Sequence, residues 1–209
     1  PYLDRIAAAR TRADLLRLFA TPGYPSPIGI GIIPNPANPT RYVAFAGQGG
    51  LGMPNRDYYL RQRGDYDRFR AAYRTYLTTL MPLNGVANPE ARVDAVIALE
   101  RRIAEAHWTP ERSRDVRQLL NPMNRDQLNQ LAPQSKWTET LPQLGLGNVE
   151  TIIAGQTTAI AAEGQLFAEV PVDGRQSQTA LAVARGTSRL LISLGFCCVS
   201  ELPLASGRR

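Results

Sequence analysis

Residues 50–60 read GLGMPNRDYYL, a stretch that lies between a strand pattern and a helix pattern. Gly52 and Pro54 are residue types that supply turn geometry. Asn55 is of a type that caps helices, here one predicted to begin at Arg56. The phosphate-loop pattern G-x-x-x-x-G-K-(S/T) and the dinucleotide pattern G-x-G-x-x-G are both missing from it. We therefore interpret the stretch as a structural turn that ends a β-hairpin and starts a helix.

The side chains of this turn carry a further prediction. Tyr58 and Tyr59 combine apolar rings with polar hydroxyls, a type that usually finds a hydrogen-bond partner when buried. We expect both tyrosines to be mostly buried. We also expect Arg56 or Asp57 to hydrogen-bond to nearby backbone.

The residues before the turn predict one helical region and a hairpin. Residues 3–20 have helical spacing, and Thr11 is placed to cap the part that follows it. Isoleucines then alternate with glycines over 28–32, a period-two strand pattern, and residues 41–47 form a second strand pattern. The sequence therefore predicts a β-hairpin over about 28–47.

The residues after the turn are predicted to be mainly helical. Asp65 is a plausible cap for a helix that ends around Pro82, Asn84 and Gly85. Its apolar stripe is more typical of a core than of a cofactor site, and it consists of Tyr66, Phe69, Tyr73, Tyr76, Leu77 and Leu80. Asn88-Pro89-Glu90 predicts a side-chain cap and a helix that runs to about His107.

The remaining elements are shorter. We predict short helices over 112–120, after Asn124 and over 136–147, a strand over 149–154 and a helix over 157–172. The predicted fold class is mainly α with a small β-hairpin.

Composition and charge argue against nucleic-acid binding and against a membrane-spanning segment. The chain has 209 residues, 44% hydrophobic and 20% charged, which is typical of a globular protein with a core. Its net charge of +6 divides into +3 over residues 1–172 and +3 over 173–209, so the body has no dense basic surface of the kind that binds nucleic acid. No apolar run approaches the roughly 20 residues of a membrane span. Because the chain starts at Pro1 without a methionine, we expect it to be a piece of a longer protein.

Candidate catalytic and metal-binding groups are few. The chain has one histidine, His107, whereas a catalytic zinc needs about three protein ligands, and Cys197 and Cys198 are adjacent rather than spaced as a metal pair. We expect His107 to pack at a helix end. Two E-x-x-x-D matches are interpreted as solvated surface acids, Glu90–Asp94 and Glu111–Asp115. No catalytic residue and no metal ligand is predicted in this chain.

Four stretches in order resemble one family: PTRYVAFAGQGGLGMPNRDYYL (39–60), VDAVIALERRIAEAHWTPERSRD (93–115), LLNPMNRDQLNQLAP (119–133) and WTETLPQLGLGNVETIIAGQ (137–156). They resemble the N-terminal, non-catalytic helical part of the neprilysin and endothelin-converting-enzyme family of zinc metallopeptidases, with bacterial members most similar. The motif residues are Leu51, Gly52, Pro54, Arg56, Asp57, Tyr58 and Tyr59, followed by Asn121, Pro122 and Met123. The resemblance covers residues 1–172.

The resemblance implies a two-lobed peptidase whose thermolysin-like lobe holds zinc, while a helical lobe covers the cavity and admits small peptides. This chain is then part of the covering lobe, and the zinc histidines and catalytic glutamate lie downstream, outside this sequence. The implied partners are peptide substrates and the missing catalytic lobe, and the implied location is periplasmic or extracellular. The alternative is a non-catalytic helical module that binds peptides or proteins.

Residues 173–209 are interpreted as an atypical tail. The family has a further helix with aromatic residues at this point, whereas this chain has DGRQSQTALAVARGTSRLLISLGFCCVSELPLASGRR, which lacks clean periodicity and helix caps. We hypothesise a reading-frame change near codon 173.

Overall fold

The computed structural model describes residues 2–36, 38–83 and 88–172. The predicted atypical tail, 173–209, lies outside the described residues, as do the helix-ending residues Asn84 and Gly85. Over the described residues the chain is mainly helical with a small sheet, which confirms the predicted fold class. The helices are α1 (Tyr2–Ala8), α2 (Arg12–Phe19), α3 (Asp57–Leu60), α4 (Asp65–Leu83), α5 (Pro89–Ala106), α6 (Val116–Leu119), α7 (Arg125–Leu131), α8 (Trp137–Gln143) and α9 (Thr157–Glu169), with 3-10 turns at Arg112–Arg114 and Pro133–Ser135.

The predicted hairpin is confirmed, and it belongs to a larger sheet. Strands β1 (Ile28–Asn35) and β2 (Asn38–Gln48) pair antiparallel. Strand β4 (Ile152–Ala154) pairs parallel to β2, and β3 (Asn121–Met123) pairs antiparallel to β4. Within the described residues the strand order is therefore β1-β2-β4-β3. The sequence predicted a strand over 149–154, where β4 lies, but not β3, because Asn121-Pro122-Met123 forms no run of apolar residues and proline is unfavourable in a strand.

Helix caps explain where two of the helices begin. The Thr11 hydroxyl accepts a hydrogen bond from the Asp14 backbone N–H, and the Asp14 carboxylate accepts one from the Thr11 N–H. This capping box starts α2 as a helix separate from α1, so residues 3–20 are not one continuous helix. Asn124 forms an equivalent box with Gln127 at the start of α7, as its position predicts.

The predicted side-chain cap at Asn88 is wrong. Asn88 adopts the left-handed conformation, with φ of 51°, and its side chain makes no capping hydrogen bond. Asparagine tolerates this conformation better than most residues. Pro89 is then the first residue of α5, where its fixed φ suits the helix and its missing N–H costs nothing.

Five apolar clusters occur among the described residues, and three of them join the main elements as follows. One lies between the sheet and α7, α8 and α9, and includes Trp137, Leu141, Ile152 and Ile160. A second joins α1, α2 and α9 through Ile6, Leu15, Phe19 and Phe167. A third joins α4 and α5 through Leu77, Met81, Val93 and Val96.

The stripe on α4 is less buried than predicted. Leu77 is buried, but Phe69 and Tyr76 are 38% and 41% exposed, and Leu83 beyond the predicted end is 79% exposed. The helix packs against α3 and α5 along part of its circumference. Phe69 and Tyr76 therefore face solvent in part, whereas Tyr73 and Leu80 pack against the buried cluster between α4 and α5. None of the described helices is long and apolar enough to cross a membrane.

Candidate functional site

The loop that follows β2 runs close to the start of β1. Gly50 has a φ of +79°, a conformation that favours glycine. A Cβ atom on Gly49 would lie 2.7 Å from the Pro27 carbonyl oxygen, so no larger residue fits there without a backbone shift. Gly49 and Gly50 therefore allow the backbone of this loop to lie close to the backbone of Pro27. We call residues 49–59 the glycine loop.

Tyr59 fixes the glycine loop through hydrogen bonds to its backbone. Its side chain is buried. Its hydroxyl oxygen accepts hydrogen bonds from the backbone N–H groups of Gly52 and Met53, at 3.0 and 2.8 Å. The same hydroxyl donates to Glu100 Oε2 on α5 at 2.8 Å. One phenol thus joins the loop, α3 and α5.

Glu100 is a buried acid that receives two phenols. Tyr73 on α4 also donates to it, with its hydroxyl 2.9 Å from Glu100 Oε2. Burial, and then the neighbouring Glu100 charge, raises the pKa of Tyr59 far above its ordinary value. Tyr59 therefore stays protonated and keeps donating across the physiological pH range.

The predictions for the loop side chains are confirmed for Tyr59 and Arg56. The Arg56 Nε–H donates to the Ala104 carbonyl oxygen at 3.1 Å, a backbone group 48 residues away in sequence. Tyr58 is half-buried and packs against the Tyr66 ring, with centroids 5.4 Å apart. Asp57 forms an ion pair with Arg61 at 3.0 Å.

The helix after the loop begins one residue later than predicted. Asn55 Oδ1 accepts the Asp57 backbone N–H at 2.9 Å, and α3 starts at Asp57 rather than at Arg56. The structural role predicted for the turn fits this geometry. That these residues are a family signature stays a prediction from the motif.

His107 lies at the end of α5, where the sequence placed it, but it does more than pack. Its Nε2 atom is 2.8 Å from Glu163 Oε1 on α9 and 2.9 Å from the Gly49 carbonyl oxygen. Both neighbours are acceptors, so Nε2 carries the proton and donates. This buried pair joins α5, α9 and the glycine loop.

Two functional candidates, Glu100 and Glu163, were missed from sequence. Each is fully buried, which is rare for glutamate unless it is paired. Each interrupts an apolar helix pattern, in ALERRIA (98–104) and AIAAEGQLF (159–167). A glutamate on the apolar face of a predicted helix was the available signal.

The Asn121–Met123 motif has a different role from the glycine loop. Asn121 Nδ2 donates to the carbonyl oxygens of Ala154 and Gly155, at 2.9 and 3.2 Å. Pro122 lies opposite Ile153 in the β3–β4 register. This motif extends the sheet, whereas the glycine loop packs against α5.

The acids at i,i+4 spacing do not form a site. Glu90, Asp94 and Glu111 are exposed, as predicted. Asp94 pairs with Arg74 on α4. Asp115 is half-buried, and its Oδ1 accepts the Arg117 backbone N–H at 3.2 Å and caps α6.

The chemistry around His107 does not fit a catalytic zinc. Such a zinc takes three protein ligands and keeps one position open. His107 Nε2 already donates to Glu163 and Gly49, and it has no second histidine beside it because the chain contains only one. Within residues 2–36, 38–83 and 88–172, no group of three or more His, Cys, Asp or Glu residues could hold a metal ion.

The sequence matches known metallopeptidases. The N-terminal model of peptidase family M13 matches residues 1–193, a range that extends past the predicted boundary at Val172. Endothelin-converting enzyme-like 1 of Mus musculus is 31% identical over 109 residues, 51% of this chain and 14% of that protein. Neprilysin-3 of Drosophila melanogaster is 32% identical over 104 residues, 49% of this chain and 13% of that protein.

The fold matches solved peptidases. The open state of the Mycobacterium tuberculosis zinc metalloprotease Zmp1 superposes with a TM-score of 0.81 at 20% identity, over 97% of this chain and 34% of that chain. PepO from Lactobacillus rhamnosis superposes with a TM-score of 0.61 at 16% identity, over 88% of this chain and 30% of that chain.

This chain therefore spans about one seventh of the curated relatives it matches and about a third of the solved structures. Because the family model covers nearly its whole length, and the relatives carry the names that the motifs predicted, the chain belongs to peptidase family M13, the neprilysin and endothelin-converting-enzyme family.

Proposed function

We propose that this chain is the N-terminal, non-catalytic part of a zinc metalloendopeptidase that hydrolyses peptide bonds in small peptides. The observation that carries the proposal is the match of residues 1–193 to the N-terminal M13 model, together with a donor set around His107 that does not suit zinc. The zinc and its ligands would then belong to a catalytic lobe elsewhere in the longer protein. A periplasmic or extracellular location is part of the proposal and rests on the family resemblance alone.

The role of this chain's own residues is to build a rigid wall. The Tyr59–Glu100 and His107–Glu163 bonds tie the glycine loop to α5 and α9. Buried polar bonds of this kind stay in one geometry because leaving either partner unsatisfied costs free energy. A wall that keeps its shape would restrict which peptides enter a cavity between two lobes.

A peptide-cleavage assay tests this proposal. We expect the purified 209-residue chain to leave a small fluorogenic peptide intact with and without added zinc. The longer gene product should cleave the same peptide and lose the activity on chelation. A variant tests whether His107 takes part in catalysis. His107→Ala, introduced into the longer protein, should lower its stability, but the fraction that remains folded should keep zinc-dependent activity. Zinc-dependent cleavage by the purified chain would refute the proposal.

The second candidate is a non-catalytic helical module that binds peptides or proteins. Phe69, Tyr76 and Leu83 follow one another at seven-residue intervals, so they lie on one face of α4, and all three are exposed. Exposed apolar stripes of this kind often mark interfaces. Binding to a peptide or to a separately expressed M13 catalytic lobe would favour this candidate. Monomeric behaviour without such binding would argue against it.

A further inference from the structure

A cavity lies between α2, β1, α8 and α9, and no residue of α4 lines it. Its volume is about 400 Å³, within the range of ligand pockets. One wall is the segment 21–27 with the first residues of β1, and the others come from α2, α8 and α9. No residue of the glycine loop lines it.

The cavity is lined largely by apolar and aromatic groups. Phe19, Tyr24, Trp137 and Phe167 line it, and all four are buried. Aromatic walls of this kind bind apolar side chains through area burial and ring contacts. The cavity therefore suits an apolar group of the size of a leucine or phenylalanine side chain.

The charged lining of the cavity is acidic. Glu163 lines it, and no arginine, lysine or histidine is among its lining residues in the described part of the chain. The Glu163 side chain is fully buried, and its Oε1 accepts hydrogen bonds from His107 Nε2 at 2.8 Å and from the Gly49 backbone N–H at 3.4 Å. A carboxylate has about four acceptor sites on two oxygens, so it can accept a further donor while it keeps His107. The complementary ligand group is a cation that donates hydrogen bonds, such as an amine.

A second polar group in the cavity requires an acceptor. The Trp137 side chain lines the cavity and the residue is 2% exposed. Its indole N–H has no hydrogen-bond partner among the described residues. A buried donor without an acceptor is unfavourable, and a ligand oxygen would satisfy it.

The edge of the sheet adds a main-chain surface. Residues Ile28, Gly29 and Ile30 line the cavity, and β1 is one of the two edge strands of the sheet in the part of the chain that the structure describes. An edge strand presents backbone N–H and C=O groups that can pair with an extended peptide. Apolar walls, an acid, a free indole donor and a strand edge thus meet at one place.

We propose that this cavity binds a peptide with a free amino terminus and an apolar first side chain. The side chain packs between Phe19, Trp137 and Phe167, the terminal ammonium donates to Glu163, and a peptide carbonyl oxygen accepts the Trp137 indole N–H. This site goes beyond the proposed peptidase role, since it lies wholly within this chain and requires no zinc.

The test is a titration of the full 209-residue chain with leucyl-leucine amide and with its N-acetylated form, in zinc-free buffer, followed by NMR. The chain has two tryptophans and so two indole N–H signals, and Trp137→Phe assigns them. We expect the free-amine peptide to shift the Trp137 signal saturably. The acetylated peptide should bind at least about tenfold more weakly, because it lacks the charge that complements Glu163.

Two charge variants complete the design. Glu163→Gln should abolish the preference for the free amine, whereas Glu111→Gln, which removes one negative charge from an exposed position, should keep it. Equal binding of both peptides, a shift confined to Trp108, or no saturable shift up to about 10 mM peptide would overturn the proposal. If Glu163→Gln does not fold, the comparison of the two peptides on the unaltered chain still decides. Since no step requires catalysis, failure here leaves the proposed peptidase role untouched.

Discussion

Tyr59→Phe is the sharpest test of how the glycine loop is held. The substitution keeps the ring and removes one hydroxyl, which accepts from the Gly52 and Met53 N–H groups and donates to Glu100. The lost bond to a charged group costs about 1.5 kcal/mol, and each N–H left without an acceptor costs about 1 kcal/mol more. We therefore expect the free energy of unfolding to fall by about 3.5 kcal/mol.

Urea denaturation of the full chain, followed by far-ultraviolet circular dichroism, measures this change. At an m-value of about 2 kcal/mol per M, the midpoint should fall by about 1.8 M. The matched control is Tyr73→Phe, which also removes a hydroxyl donor to Glu100 but leaves the bonds from Gly52 and Met53 intact. It should cost about 1.5 kcal/mol.

The difference in cost between Tyr59→Phe and Tyr73→Phe measures what the backbone hydrogen bonds from Gly52 and Met53 contribute. If Tyr59→Phe costs no more than Tyr73→Phe, the backbone bonds from the loop contribute nothing and the described role of Tyr59 is wrong. A cost below about 1 kcal/mol for Tyr59→Phe would refute the argument outright, because that is less than one lost bond to a charged group.

Two further predictions concern helix capping and backbone approach. The Thr11 hydroxyl, and then the Arg10 and Thr11 N–H groups, lower the pKa of Asp14 below its ordinary value of 3.8, so its stabilising effect is present above that pH and is lost as the pH falls through the lowered pKa. The difference in urea midpoint between the unaltered chain and Asp14→Asn should therefore shrink between about pH 6 and pH 2, and a constant difference would contradict this. Gly49→Ala should cost about 1–3 kcal/mol, because its Cβ would meet the Pro27 carbonyl. Gly31→Ala, whose Cβ would meet nothing within 4 Å, should change stability by less than about 0.5 kcal/mol, and equal effects at both glycines would contradict the packing argument.

Local patterns predicted the local structure well. The hairpin of β1 and β2, the cap at Thr11 and the start of α7 after Asn124 each depend on a few consecutive residues whose conformational preferences agree with the fold. Asn88 shows the limit of such reasoning. It is a good capping residue by type, yet its left-handed backbone leaves its side chain without a capping bond.

The candidate site was only half predictable. Turn chemistry around Gly52 and Pro54 predicted a structural turn, and Tyr58 and Tyr59 were expected to be mostly buried. Tyr59 donates to Glu100, 41 residues further along the chain. The Gly49 backbone N–H lies 3.4 Å from Glu163 Oε1, 114 residues further along. Residues so distant share no local periodicity, so no pattern in the sequence pairs them.

The sequence by itself determined the family, the helical class and the turns, because these follow from short motifs and from local backbone preference. Tertiary structure alone decided that β3 and β4 complete the sheet and that two glutamates are buried beneath phenol and imidazole donors. It also decided that part of the α4 stripe stays exposed. The physical reason is the same in each case: burial and hydrogen bonding depend on which distant surfaces meet, and a residue's type specifies what partner it needs but not where in the chain that partner lies.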